Sequence, residues 1–334
     1  MTVSPEPGRE EPTVKVGARL QHLVVIVGPT AVGKTQLSLR LARTFDGEIV
    51  SADSRLFYRG MDIGTAKPTA EEQRCAPHHL IDIADPDETV GLAEFQQQAY
   101  AAIDDIHRRG KLPFLVGGTG QYVRAVVEGW RVPRVPPNLA LRAELEAEAA
   151  RDGAAALHAR LADLDPQAAA RIDARNVRRV VRALEVCLTS GQSFSQQASK
   201  QPPPYDVLKI GLAMERATLY ARVDQRLHAM VQAGLVEEVQ ALVEKGYGWD
   251  LPAMSGLGYV QFRPYFEGRA TLDEVVAEIS RATRRFVRHQ ANWFRPSDPS
   301  IVWLEATEAG AAHAAEVVRR WLSGEVLASA AGQW

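Results

Sequence analysis

The stretch Leu23-Val-Val-Ile-Val-Gly28-Pro-Thr-Ala-Val-Gly33-Lys34-Thr35 limits the possible folds more than any other part of the chain. Leu23 to Val27 are consecutive apolar residues. They read as a strand covered on both faces, and so as part of a parallel sheet. Gly28 to Thr35 fits G-x-x-x-x-G-K-[ST] without a mismatch, and the helix-like QLSLRLARTF follows. In that setting the glycines let successive backbone N–H groups point into one hollow before a helix N-terminus, where an anion sits. Gly28, Pro29, Thr30, Ala31, Val32, Gly33, Lys34 and Thr35 are the candidate diphosphate-binding residues. Lys34 adds a point charge and the Thr35 hydroxyl can hold a Mg²⁺. The motif does not say which molecule carries the diphosphate.

Composition narrows the class. A chain of 334 residues, 46% of them hydrophobic, suggests about two domains. With 39 Lys+Arg against 41 Asp+Glu there is no overall basic excess, so any nucleic-acid contact must rest on locally grouped cations. Cys75 and Cys187 form neither a disulfide framework nor a CxxC metal site, which suits a reducing cytoplasm. The opening MTVSPEPGREEP lacks a signal-peptide pattern, and no apolar run approaches the ~20 residues needed to span a bilayer. A cytoplasmic monomer without membrane contact is expected. Residues 1–20, rich in Pro, Glu and Gly, are expected to be a disordered extension, and residues 324–334 a tail.

Glu48 to Ala52 reads as a second strand ending in Asp53-Ser54-Arg55. Ligands gather at the carboxyl ends of strands in open α/β sheets. Asp53 is therefore a candidate Mg²⁺ partner or general base, or else caps the next turn. Residues 58–68 are too rich in Gly and polar residues for an element interior and read as a loop. His78 and His79, on an extended segment, point to opposite sides and read as structural. A helix is expected over Leu92–Arg109, then a strand over Leu112–Val116 running into Gly117-Gly118-Thr119-Gly120, either a ligand approach or a tight turn. That strand lacks the terminal acid with which phosphate-loop hydrolases usually hold Mg²⁺. The absence weakens an ATPase or GTPase reading.

Between Trp130 and Pro204 the character changes to Ala-, Glu- and Arg-rich helical periodicity bounded by prolines. Residues 131–204 are expected to be a helical insertion in a core made of 21–130 and 205–323. Within it, Arg175, Arg178, Arg179 and Arg182 share one helical face by spacing. Such a face can follow a nucleic-acid backbone or be merely solvated. Val207–Met214 reads as a strand. In the helix after it, Arg222 and Arg226 share a face and can reach the phosphate loop or pair with Asp224 or Glu237. Arg281, Arg284, Arg285 and Arg288 repeat the basic spacing before His289-Gln290-Ala-Asn-Trp293, a pattern that suits RNA stacking or plain helix packing. A strand over Ile301–Leu304 and a helix over Ala309–Leu322 complete the chain. The expected fold is α/β: a P-loop NTPase-like parallel sheet flanked by helices, with a helical insertion domain.

The phosphate loop, the block Ser51 to Pro68, Pro77-His-His-Leu-Ile-Asp-Ile83, Gly117-Gly118-Thr119-Gly120 and Arg182-Ala-Leu-Glu185 together resemble the bacterial tRNA dimethylallyltransferases. The resemblance runs from about Leu23 to Arg295. Gln121, Val32 and Thr89-Val90-Gly91 depart from common family residues but touch none of Lys34, Thr35, Asp53 or Thr119. The resemblance implies transfer of a dimethylallyl group from dimethylallyl diphosphate to the exocyclic N6 of the adenine 3′ to the tRNA anticodon. Pyrophosphate leaves and Mg²⁺, held by Thr35 and Asp53, assists. It implies catalytic roles for Asp53, Thr119 and Arg222. It implies tRNA contacts from Asp53, Ser54, Arg55, Leu56, Thr119, Arg142, Arg178, Arg179, Val180, Val181 and Arg182, with the anticodon stem-loop as partner. Three rivals remain: a small-molecule or nucleoside-monophosphate kinase that binds ATP, an isopentenyltransferase acting on free adenine nucleotides, and a non-catalytic nucleotide-gated switch or RNA-binding module.

Overall fold

The computed structural model describes residues 21–133, 135–197 and 200–325. The expected extension at 1–20 and positions 326–334 of the expected tail lie outside the described residues. Strand β1 (Gln21–Val27) leads through the phosphate loop into α1 (Lys34–Thr44) and β2 (Gly47–Ser51). After α2 (Ala70–Cys75) come β3 (His78–His79), α3 (Leu92–Arg108), β4 (Leu112–Val116) and α4 (Gly120–Val127). The insertion holds α5 (Leu139–Asp152), α6 (Ala154–Leu164), α7 (Pro166–Arg171), α8 (Val177–Ser190) and α9 (Phe194–Gln197). The chain returns with β5 (Tyr205–Ala213), α10 (Arg216–Gln232), α11 (Leu235–Glu244), α12 (Arg263–Phe266), α13 (Leu272–Gln290), β6 (Ile301–Glu305) and α14 (Glu308–Leu322).

The sheet order is β3-β2-β4-β1-β5-β6, and every pairing is parallel. β1 is central, so it needs apolar residues on both faces. Leu23, Val25 and Val27 enter one core and Val24 and Ile26 the other, which is why its sequence is a continuous apolar run and not an alternation. Chain connections reverse direction about β1, whose neighbours β4 and β5 are level with it: Ile26 pairs with Val116 on one side and Ile210 on the other. The carboxyl ends of β1, β2 and β4 therefore open onto one crevice, the place where this topology binds ligands. Gly117 is required there. A Cβ on it would lie 2.3 Å from the Ala52 carbonyl oxygen.

Helices α5 to α8 enclose their own apolar core around Leu145, Leu157, Leu161 and Leu184. Where the chain enters and leaves this insertion, Gln201 N–H donates to the Gly129 carbonyl at 2.8 Å and Trp130 bridges Lys200. The four-arginine face is corrected by the structure. Asn176 caps α8 by accepting from Arg179 N–H at 3.2 Å, so the helix starts at Val177 and Arg175 precedes it, held on Asp173. Val180 and Val181 are 0% and 2% exposed. They pack into the insertion core, so the tRNA contact expected of their side chains is not available. Glu185, 0% exposed, accepts from Arg142 at 2.9 and 2.8 Å, from Arg182, and from Asn138 N–H. Burial would raise its pKa, but these hydrogen bonds hold it below the ordinary carboxylate value. Arg142 and Arg182 are thus occupied in neutralising a buried carboxylate, and Arg178 and Arg179 are the exposed cations of the expected group without a carboxylate partner among the described residues.

His79 bonds the buried Glu48 at 2.7 Å and His78 the Ala76 carbonyl at 2.8 Å, structural roles in both cases. In the second basic stretch Arg281 and Arg285 form exposed pairs with Glu278, and Arg284 pairs with Asp224. Among the described residues no helix is long and apolar enough to cross a membrane, and both cysteines are free.

Candidate active site

A cleft of about 860 Å³ lies at the carboxyl edge of the sheet, and the phosphate loop forms its floor. Thr30, Ala31, Gly33, Lys34 and Thr35 line it, together with Gln36, which the loop motif does not include. Gly33 adopts φ 109° as the residue before α1, a conformation that favours glycine and leaves the first amides of the helix facing the cleft. The other loop residues shape the hollow from behind. Val32 is sealed in the core, and the carbonyls of Gly28 and Pro29 accept from Lys34 Nζ at 3.0 and 2.8 Å. Burial lowers the Lys34 pKa from 10.5 to about 8; Asp53 opposes that shift and Arg226 adds to it.

Asp53 also lines the cleft, and the turn-capping reading of it is seen directly. Its Oδ1 accepts from Arg55 N–H at 3.0 Å, an Asx turn, while Oδ2 has no hydrogen-bond partner among the described residues. Ser54, Arg55 and Leu56 also line the cleft, although Arg55 Nη1 donates to the Pro252 carbonyl at 2.8 Å. Thr119 is the N-cap of α4, yet its side chain makes no capping bond and lines the cleft. The surrounding glycines line the cleft too, and they leave no room for a side chain: a Cβ on Gly118 would meet Gln290, and one on Gly120 would meet Trp293.

Arg222 and Arg226 both face the cleft from α10, without a carboxylate partner among the described residues. Asp224, offered as an alternative partner, instead holds Arg284 and accepts from Ser280 at 2.6 Å. Desolvation lowers the Arg226 pKa against the attraction of Asp53. Lys67 also lines the cleft, but its ammonium is taken up by two carboxylates. Its side chain is 4% exposed between Asp62 and Asp82.

Two positioning contacts were not evident from the sequence. Glu238 accepts from the N–H groups of Asp62, Ile63 and Gly64 at 2.8, 2.7 and 3.0 Å and from the Tyr259 hydroxyl at 2.7 Å, fixing the stretch of cleft wall that begins at Gly64. Gln290, 5% exposed, accepts from Thr30 N–H at 2.8 Å and donates to the Gly118 carbonyl at 3.2 Å. It ties the phosphate loop to the second glycine turn and removes the Thr30 amide from the set available to an anion. Gln290→Leu strands the buried Gly118 carbonyl, at about 1–3 kcal/mol, and releases the part-buried Thr30 amide that anchors the loop. We expect a lower Tm and a weaker shift of that Tm by inorganic pyrophosphate. A pyrophosphate-induced shift equal to that of the wild type would contradict the positioning role.

A phosphate loop, free cations and a carboxylate facing one another at the carboxyl edge of a parallel sheet define a P-loop enzyme of the diphosphate-binding, group-transfer class. Within that class the chain belongs to the IPP transferase family, whose profile matches residues 56–297. It is 58% identical over 301 residues to a tRNA dimethylallyltransferase of Roseiflexus sp. (strain RS-1), covering 90% of this chain and 98% of that one. Among solved structures it resembles the full-length tRNA isopentenylpyrophosphate transferase of Bacillus halodurans, with 42% identity, 91% and 96% coverage and a TM-score of 0.67. It also resembles a eukaryotic dimethylallyltransferase caught acting on tRNA, with 26% identity, 92% and 81% coverage and a TM-score of 0.78.

Proposed function

We propose that the protein transfers a dimethylallyl group from dimethylallyl diphosphate to N6 of the adenine 3′ to the anticodon in tRNA, releasing pyrophosphate. The observation that carries this reading is that Asp53, Thr119, Lys34 and Arg222 line one cleft. The N6 lone pair forms a bond to the allylic carbon as the carbon–oxygen bond to the diphosphate breaks. Negative charge grows on the departing pyrophosphate, where the amides before α1, Lys34 and Arg222 stabilise it. An exocyclic adenine amine is a weak nucleophile, so Asp53 Oδ2 hydrogen-bonds it and takes its proton. Thr119 holds the base beside Asp53. The adenine leaves its stack to enter, at a cost of a few kcal/mol that is smaller in a single-stranded loop.

The Thr35 hydroxyl and the Asp53 carboxylate are hard oxygen donors of the kind Mg²⁺ takes. Those two side chains would hold the ion. Bound there, Mg²⁺ would neutralise charge on the leaving group. We read the protein as a cytoplasmic monomer. The run of β4 from Val116 into Gly117-Gly118 with no acid disfavours a nucleotide hydrolase, and the labelling experiment below separates the kinase reading. The insertion argues against free nucleotides as acceptors, because its exposed Arg178 and Arg179 offer a grip on the anticodon arm. Replacing both with Ala should reduce the slope of log K for tRNA against log salt by about 1 per lost phosphate contact. An unchanged slope places the RNA elsewhere.

The deciding experiment supplies radiolabelled dimethylallyl diphosphate with tRNA or AMP, and γ-labelled ATP with the same acceptors. Label in tRNA only from the prenyl donor, with one dimethyl-allylated adenosine in the nucleoside mass spectrum, is the expected result. Label in AMP, or phosphate transfer from ATP, would overturn it.

A further inference from the structure

A recess of about 80 Å³ opens from the main cleft past Thr30 and Ala31. Two helices give its direction. Along α10, Arg222 lines only the cleft, Arg226 lines both spaces, and Met230 lines only the recess. Along α13, Phe286 lines only the cleft, Thr283 both, and Ile279 only the recess. The two helices agree on one axis. From the level of Arg226 and Thr283 the recess deepens by one helical turn, about 6 Å, to Met230 and Ile279.

The chemistry changes along that axis. Arg226 supplies a cation at the mouth, on the side of the phosphate loop. Beyond it, Leu227, Met230, Leu235 and Ile279 are apolar, and the Thr283 and Thr65 hydroxyls are taken up in bonds of 2.7 and 2.6 Å with the Ile279 and Met61 carbonyls. Such a wall offers an alkyl chain contact area and no hydrogen bonds. It also keeps water, a competing nucleophile, from an allylic carbon that becomes electron-poor as pyrophosphate departs. The depth suits one isoprene unit and is too short for two.

We propose that this recess takes the hydrocarbon tail of the prenyl diphosphate, and that Met230 with Ile279 closes it after one isoprene unit and so sets the donor's chain length. The assignment rests on the donor reading given above. Met230 is half-buried and flexible, so changing it should be tolerated by the fold.

The test compares wild type, Met230→Ala and Met230→Trp with dimethylallyl and geranyl diphosphate as donors and tRNA as acceptor. In the wild type, transfer from the five-carbon donor should dominate. Met230→Ala should reduce that preference in kcat/KM by about tenfold or more, with KM for tRNA unchanged. Met230→Trp should raise KM for dimethylallyl diphosphate, again without changing KM for tRNA. An active wild type with unchanged donor preference in Met230→Ala and unchanged donor KM in Met230→Trp overturns the recess assignment alone. A wild type that transfers no prenyl group from dimethylallyl diphosphate overturns the donor reading itself. If either variant lacks a cooperative melt, Met230→Val replaces Met230→Ala and Met230→Phe replaces Met230→Trp, and they are read the same way.

Discussion

Asp53→Asn should lower kcat by about 10²–10⁴ and leave affinity for tRNA unchanged. Asparagine is the informative replacement because of how the carboxylate is divided. One oxygen accepts from Arg55 N–H at 3.0 Å and shapes the turn after β2; an amide oxygen can do the same. The other oxygen takes the N6 proton, which an amide cannot do at neutral pH. Alanine would remove both functions, so its loss of activity could come from a collapsed turn. Single-turnover rates and filter-binding affinities, measured side by side, check the expectation. Parallel loss of rate and affinity in Asp53→Asn would make this residue part of the RNA grip and not the base.

Lys34→Ala should cost about 10²–10³ in kcat, the loss seen when a preorganised donor to a developing oxyanion is removed. The residue also gives a pH signature. Burial holds its pKa in the free protein at about 8. A bound diphosphate favours the charged ammonium, so the pKa in the complex is higher. Below pH 8 the lysine is already charged and donor affinity should be flat. Above pH 8 binding must also take up a proton, and affinity should fall by up to about tenfold per pH unit. Isothermal titration between pH 6.5 and 9.5 reads this directly. The decline should vanish in Lys34→Ala, and a decline that persists there would assign the titration to another group.

Much of the core could be read in the sequence because β1, β2 and β4 are short and end in distinctive turns. A strand buried on both faces needs an unbroken apolar run, and Leu23 to Val27 is one. Glycines that must pass close to other backbone, such as Gly117 beside Ala52, mark where such strands stop. β5 was less well bounded, since Tyr205 and Asp206 precede the apolar run yet pair with Gln21 and His22.

The arginines show where periodicity stops being informative. Spacing says that four side chains share a face; it does not say which way the face turns. A helix turns 100° per residue, so the run Arg178 to Arg182 could never all face RNA, and its two valines form the apolar side. The buried Glu185 was invisible as a burial site, and with it the reason Arg142 and Arg182 turn inward. Gln290 lies 260 residues from Thr30 in the chain, and nothing local to either residue predicts their hydrogen bond.

The central claim is that the loop at residues 28–35 receives a pyrophosphate carrying a prenyl group and not the tail of a nucleotide. A crystal soaked with the unreactive thiolodiphosphate analogue of dimethylallyl diphosphate tests it most directly. Diphosphate density within hydrogen-bonding distance of the Gly33, Lys34 and Thr35 amides, with the carbon chain running into the Met230 recess, is expected. A loop that stays empty with the analogue but fills with ATP would contradict the account.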